Sequence, residues 1–167
     1  MSAGLTLAGS ALSAGVLVIN IRTWWGGKRE LKALIPFGCG VLSGAPWTLC
    51  AGGLLGWVAE KIVGAHNAVG GWVLDKVTGH SDGALNIGSM GTLTAAGACT
   101  VVASLMVFVV VWKGSGKTDR KRILGGLSVG TTLTVTAGFA QLMQWIPDLY
   151  NTVGSGAQDM LNGALPL

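Results

Sequence analysis

The sequence predicts an all-α integral membrane protein with four transmembrane helices and short amphipathic helices on the outer side. Three observations predict it. Four long apolar stretches contain no Asp, Glu, Lys, Arg or His; nine of the eleven Lys and Arg residues sit in two short connections; and most tryptophans fall at the ends of the stretches. Composition agrees, with 50% hydrophobic residues, 11% charged and a mean hydropathy of +0.60. Soluble domains carry about 25% charged residues. Four helices apolar all round would leave a chain this short almost no polar surface to hold it in water.

The stretches cover roughly residues 3–21, 33–59, 84–112 and 123–145. Each is close to or above the ~20 residues that a helix needs to cross the hydrocarbon core. The first is expected to be a retained span, because its first cation, Arg22, follows the apolar run, whereas a cleaved signal begins with its positive region. The second contains Pro36 and Pro46 beside Trp47, and is the span expected to kink or break. The chain reads as one polytopic membrane domain over 1–167, with an outer loop at 60–83 and an outer tail at 146–167.

Orientation follows from the cations, since short Lys- and Arg-rich loops resist translocation. Arg22, Lys28, Arg29 and Lys32 form one cluster, and Lys113, Lys117, Arg120, Lys121 and Arg122 the other. Both are expected on the inner face, against anionic lipid headgroups. Both termini then lie outside, on a multi-pass protein of the cell membrane. Trp24, Trp25 and Trp112 mark inner ends, and Trp57 and Trp145 outer ones. Nucleic acid is the weaker candidate partner of the basic face.

In lipid, helices associate through small residues that let backbones approach. Gly40, Gly44, Thr48, Gly52 and Gly56 recur every four residues in the second span, and Gly126, Gly130, Thr134 and Gly138 do so in the fourth. The third offers Gly91, Ala95, Cys99 and Ala103. These small faces serve either packing within one bundle or contacts between copies, and their number favours a homo-oligomer. Two segments outside the spans have helical apolar spacing: Ile62, Ala65, Val69, Trp72 and Val73, and, after Pro147, Leu149, Val153, Ala157, Met160 and Leu161. They suit helices lying on the outer membrane surface or docking on a neighbour.

No catalytic constellation, cofactor motif or metal-ligand spacing appears, so the chain is expected not to be an enzyme. The run Lys113-Gly114-Ser115-Gly116-Lys117-Thr118 ends like a phosphate-binding loop, but the required glycine five places before Gly116 is Val111. His66 and His80 lack a third strong ligand. Cys39, Cys50 and Cys99 lie inside apolar stretches, where cysteine behaves as a small hydrophobe. Spans without ionisable groups disfavour ion-coupled transport.

Span, basic turn and span occur twice in the same orientation. Such a hairpin, with Gly-rich walls and a basic inner turn, resembles the pilin subunits of conjugative, type IV secretion systems, over 3–59 and again over 84–145. The resemblance implies a self-assembling subunit whose basic turn faces lipid headgroups, working with other subunits of a membrane machinery for secretion or conjugation. The alternatives are a holin-like pore, with Thr131, Thr134, Gln141 and Gln144 on a wet path, and a membrane-anchored DNA-handling protein using its basic loops.

Overall fold

The computed structural model describes residues 4–27 and 30–163. These residues form an all-helical fold of α1 (Leu7–Gly26), a 3-10 turn (Leu31–Ala33), α2 (Ile35–Trp47), α3 (Leu54–Thr78), α4 (Ala95–Gly114), α5 (Lys117–Leu133), α6 (Ala137–Leu142) and α7 (Trp145–Leu161). Among them, β pairing is confined to two isolated bridges, Thr6 with Ala84 and Ile87 with Thr136. Among the described residues two helices, α1 and α4, are long and apolar enough to cross a membrane.

The apolar stretches and the helices do not coincide, for identifiable reasons. The stretch at 33–59 is two helices. Proline 46 lacks the N–H that would continue the ladder, α2 ends at Trp47, and the chain turns through Gly52 at φ +80° before α3 begins. The expected outer loop at 60–83 is mostly helix, since α3 runs on to Thr78. In the stretch at 84–112 the first eleven residues are not helical: Gly91 has φ +126°, and residues 85–88 hydrogen-bond sideways to Leu5, Val135 and Ala137. The stretch at 123–145 breaks between α5 and α6, where Thr131, Thr132, Thr134 and Thr136 turn their hydroxyls back onto carbonyls three or four residues earlier.

The fold is an internal duplication. Thr6 caps α1 by accepting from the Gly9 N–H, and Thr94 caps α4 from Gly97 in the same way. Asn67 of α3 clamps the first cap: its Oδ1 accepts from the Thr6 N–H at 2.9 Å and from the Thr6 hydroxyl at 3.1 Å, while its Nδ2 donates to the Gly4 carbonyl. Asn151 of α7 repeats this on Thr94, at 2.9 and 3.1 Å, and donates to the Thr92 carbonyl. Three residues beyond each asparagine a glycine meets the partner helix, Gly70 against Ala8 and Gly9, Gly154 against Ala96 and Gly97. The helix ends match too, with Gly27 N–H on the Trp24 carbonyl and Ser115 N–H on that of Trp112. Left-handed Gly79 and Gly163 close α3 and α7 at φ +69° and +70°. One unit is α1–α2–α3; the other is α4–α5 with α6 and α7 in place of α3.

The two units meet through α2 and α5, which run parallel. A Cβ on Gly40 would strike the backbone at Ile123 and Leu127, and one on Gly126 would strike the backbone at Phe37 and Val41. Gly44 meets Leu127 and Thr131 one turn further on, and Gly130 meets Val41. The contact is reciprocal, as across a two-fold interface. Around it, α1 lies antiparallel to α5, held by a buried Ser13–Thr132 hydroxyl pair at 2.6 Å, with Leu5, Val63 and Val135 packed together at one end. Trp47 joins α2 to the second unit, packing with Ala59, Val101 and Leu127 and edge-on to Phe108.

Candidate functional site

The parallel α2–α5 pair gathers the basic connections at one end of the molecule. Arg122 donates from Nη1 to the Ala33 carbonyl at 3.0 Å, tying the start of α5 to the turn before α2. Arg120 donates to the carbonyls of Trp112 and Lys113 and stacks over the Trp112 ring, completing the end of α4. Cations are favoured there, because the last carbonyls of a helix are orphaned and carry the negative end of its dipole. Two of the five cations in the second cluster are therefore engaged in building the fold. Arg22, Lys32, Lys113, Lys117 and Lys121 are exposed. Lys28 and Arg29 lie outside the described residues.

The small-residue stripes divide. Gly40, Gly44, Gly126 and Gly130 pack α2 on α5 within the chain. Thr48 caps the end of α2 and bonds back to the Ala45 carbonyl. Gly52 stands in the following turn with open space around it, and Gly56 packs on the backbone of Cys50. Thr134 is buried with its hydroxyl on the Gly130 carbonyl, and Gly138 faces open space. The lines are not continuous grooves, because a helix ends inside each of them.

The opposite end carries an extended strap, residues 83–88, which the apolar pattern gave no means of finding. Leu7 N–H donates to Gly83 O at 2.8 Å and Leu85 N–H to Leu5 O at 3.0 Å; Ala137 N–H donates to Asn86 O at 3.2 Å and Gly88 N–H to Val135 O at 2.8 Å. At its start Asp82 Oδ1 accepts from the Ala8 and Gly83 N–H groups. The Thr6 hydroxyl, then those N–H groups, hold its carboxyl below the usual aspartate range, and the positive end of α1 favours the same ionised form. Beside the strap, a cavity of about 460 Å³ opens under Met90–Leu93, between Thr48–Ala51 and Thr134–Val135.

His66 and His80 bond to backbone carbonyls of their own segments, Ile62 and Thr78. Among the described residues no three His, Cys, Asp or Glu side chains lie together as a metal site would require. Thr131 is buried with its hydroxyl on the Leu127 carbonyl, while Gln141 and Gln144 are exposed.

Comparisons with protein-family models, curated proteins and solved structures return no match.

Proposed function

We propose that this chain is a non-enzymatic structural subunit of a membrane assembly. One observation carries the reading. Only 11% of the most apolar window of α1, and 11% of that of α4, is buried within the chain. Outward on these helices stand Val18 (60% exposed), Ile19 (64%), Val107 (63%) and Val110 (70%). A core helix of a water-soluble protein hides such residues; these need lipid or another apolar surface around them. At 20 residues each, the two helices are about 30 Å long, the thickness of the hydrocarbon core.

In this reading α1 and α4 cross the bilayer, and α2 and α5 return between them as a central pair, giving four passes. The basic end lies on the inner face against anionic headgroups. At 13 residues, about 20 Å, α2 is shorter than a full crossing, and its place beside α5 keeps it off the lipid over much of its length. The asparagine-clamped helices α3 and α7 cover the outer end, each leaving an apolar row exposed: Val69, Trp72 and Val77 on one, Val153, Met160 and Leu161 on the other.

Self-association is the second part of the proposal. The α4 small-residue line leaves Ala95, Cys99 and Ala103 exposed beside α7, and a small face of this kind suits a neighbouring helix. The duplicated, basic-turned hairpin resembles conjugative pilins, which supports placing such an assembly in a machinery that moves macromolecules across the membrane. A pore has less support, since Thr131 and Thr134 spend their hydroxyls on their own helix. A DNA-handling role has less support for a similar reason, with Arg120 and Arg122 engaged on backbone carbonyls.

Expression with carbonate washing, followed by mass measurement in lipid nanodiscs, tests the reading. The expected result is a carbonate-resistant protein in particles holding several chains. Release into the soluble fraction would end the membrane reading, and single chains in every disc would end self-association.

A further inference from the structure

The helices α1 and α4 end differently at the basic side of the molecule. Each has a tryptophan in its last turn whose carbonyl takes the N–H of the capping residue, Trp24 from Gly27 and Trp112 from Ser115, so the positions around the two tryptophans correspond. On α4 a cation closes the end: Arg120 donates to the Trp112 and Lys113 carbonyls and lies over the Trp112 ring, while Val110 stands two residues before that tryptophan. On α1 the position two residues before Trp24 is Arg22. Its side chain is exposed and, among the described residues, has no hydrogen bond or ion pair, although Glu30 and Asp119 stand in the two basic connections.

Arg22 lies one helical turn inside the end of α1, about 6 Å along its axis. With α1 across the bilayer, its backbone is at the edge of the hydrocarbon, where a cation reaches toward the headgroups and needs an anion beside it. The same residue heads an apolar track. Val18, Ile21, Trp25 and Gly26 line a cavity of about 500 Å³ with it, and Ala14, Ala11 and Leu7 continue that face toward the other end of the helix, all exposed. The ligand that matches both parts is an amphiphile, with a phosphate at Arg22 and an acyl chain along Val18 and Ala14. A guanidinium takes a phosphate through two parallel hydrogen bonds, and a tryptophan such as Trp25 favours headgroup level. The exposed Lys32, Lys113, Lys117 and Lys121 at the same end disfavour a headgroup that carries its own cation.

We infer that Arg22, with Val18, Ile21 and Trp25, binds one anionic phospholipid on the first half, and that the corresponding face of α4, with Val110 and Lys113 in place of Arg22 and Trp25, binds none. The inference rests on α1 crossing the bilayer as proposed above, and narrows the general contact of the basic end with headgroups to one site.

Full-length protein in nanodiscs of phosphatidylglycerol and phosphatidylcholine, in equal amounts and with equal chains, tests it by mass spectrometry of the protein with the lipid it retains. The expected result is one phosphatidylglycerol per chain. Arg22→Gln should lower its occupancy about tenfold, the loss of a charge-assisted hydrogen bond. Arg22→Lys should lower it less and Lys121→Gln leave it unchanged, with helicity the same in all. Equal losses in Arg22→Gln and Lys121→Gln, equal retention of the two lipids, or two phosphatidylglycerols per chain overturn the site and leave the membrane reading standing. Displacement of the lipid by glycerol phosphate overturns the amphiphile, since the site would then read phosphate alone. Protein that carbonate strips from membranes overturns the crossing of α1 and the site with it.

Discussion

The two halves of this molecule use the same devices with different completeness. In each, a threonine caps the first long helix, an asparagine from the last helix clamps that cap, and a glycine three residues on lets the helices touch. In the first half the clamped end is then covered: the strap pairs with Leu5 and Leu7, and Asp82 adds a charge at the start of α1. In the second half the equivalent end is open, with Thr94 and Ala95 exposed. Identical local chemistry thus yields one finished end and one available end.

The largest effect is expected at the seam that both halves share. Gly126→Leu sets a side chain against the backbone of Phe37 and Val41, and overpacking of this kind costs about 3 kcal/mol or more. Denaturant titration of the protein in mild detergent should show loss of the folded state, with Gly40→Leu equivalent by reciprocity. If one of the pair were silent, the two-fold character of the seam would be lost with it.

Next come the clamps. Asn67→Ala strips a partner from the Thr6 N–H and the Gly4 carbonyl in a partly buried setting, for about 1–3 kcal/mol. Asn151→Ala removes the same bonds in an exposed setting, where water replaces them, so it should cost less. Paired unfolding curves decide this; equal losses would mean that the strap adds nothing to the first clamp.

Asp82 gives the halves different responses to acid. Its carboxyl is held below the ordinary aspartate range when folded, so its contribution is present above the unfolded value and fades as pH falls through the lowered one. The protection of amides at the start of α1, taken relative to their intrinsic exchange rates at each pH, should fall on acidification over that window. Asp82→Asn should abolish the change, and the start of α4, where the strap is missing, should lack it.

The smallest effect is expected at Gly138, which faces open space on α6. Gly138→Ala should leave stability unchanged or raise it by up to about 1 kcal/mol. A large loss there would point to a contact that the chain does not make with itself.

Much of this was legible in the sequence, for physical reasons. Helix length and hydropathy are local properties, so α1 and α4 were visible as long uncharged runs, and Pro46 beside Trp47 located the break in the second stretch. The basic ends were equally plain, because charge is read directly. The strap was hidden because 84–94 is as apolar as a span, and the backbone pairing of 83–88 with Leu5, Leu7, Val135 and Ala137 is a long-range matter. The twofold repeat of span, basic turn and span is legible in charge and hydropathy, and Thr6-x-x-Gly9 and Thr94-x-x-Gly97, with Asn67-x-x-Gly70 and Asn151-x-x-Gly154, repeat with it, but their role as clamps depends on contacts between distant helices. The every-fourth-residue glycines were visible too, but spacing alone did not decide whether Gly40 and Gly126 face each other or a neighbour.

If α1 and α4 cross the bilayer as proposed, their apolar sides face lipid. Spin labels placed singly at Ile19 and Val110, in protein reconstituted into liposomes, measure it through collision rates with oxygen and with a water-soluble nickel chelate. Oxygen should dominate at both sites, and a label at Lys121 should show the reverse. Dominant nickel contact at Ile19 and Val110 would contradict it.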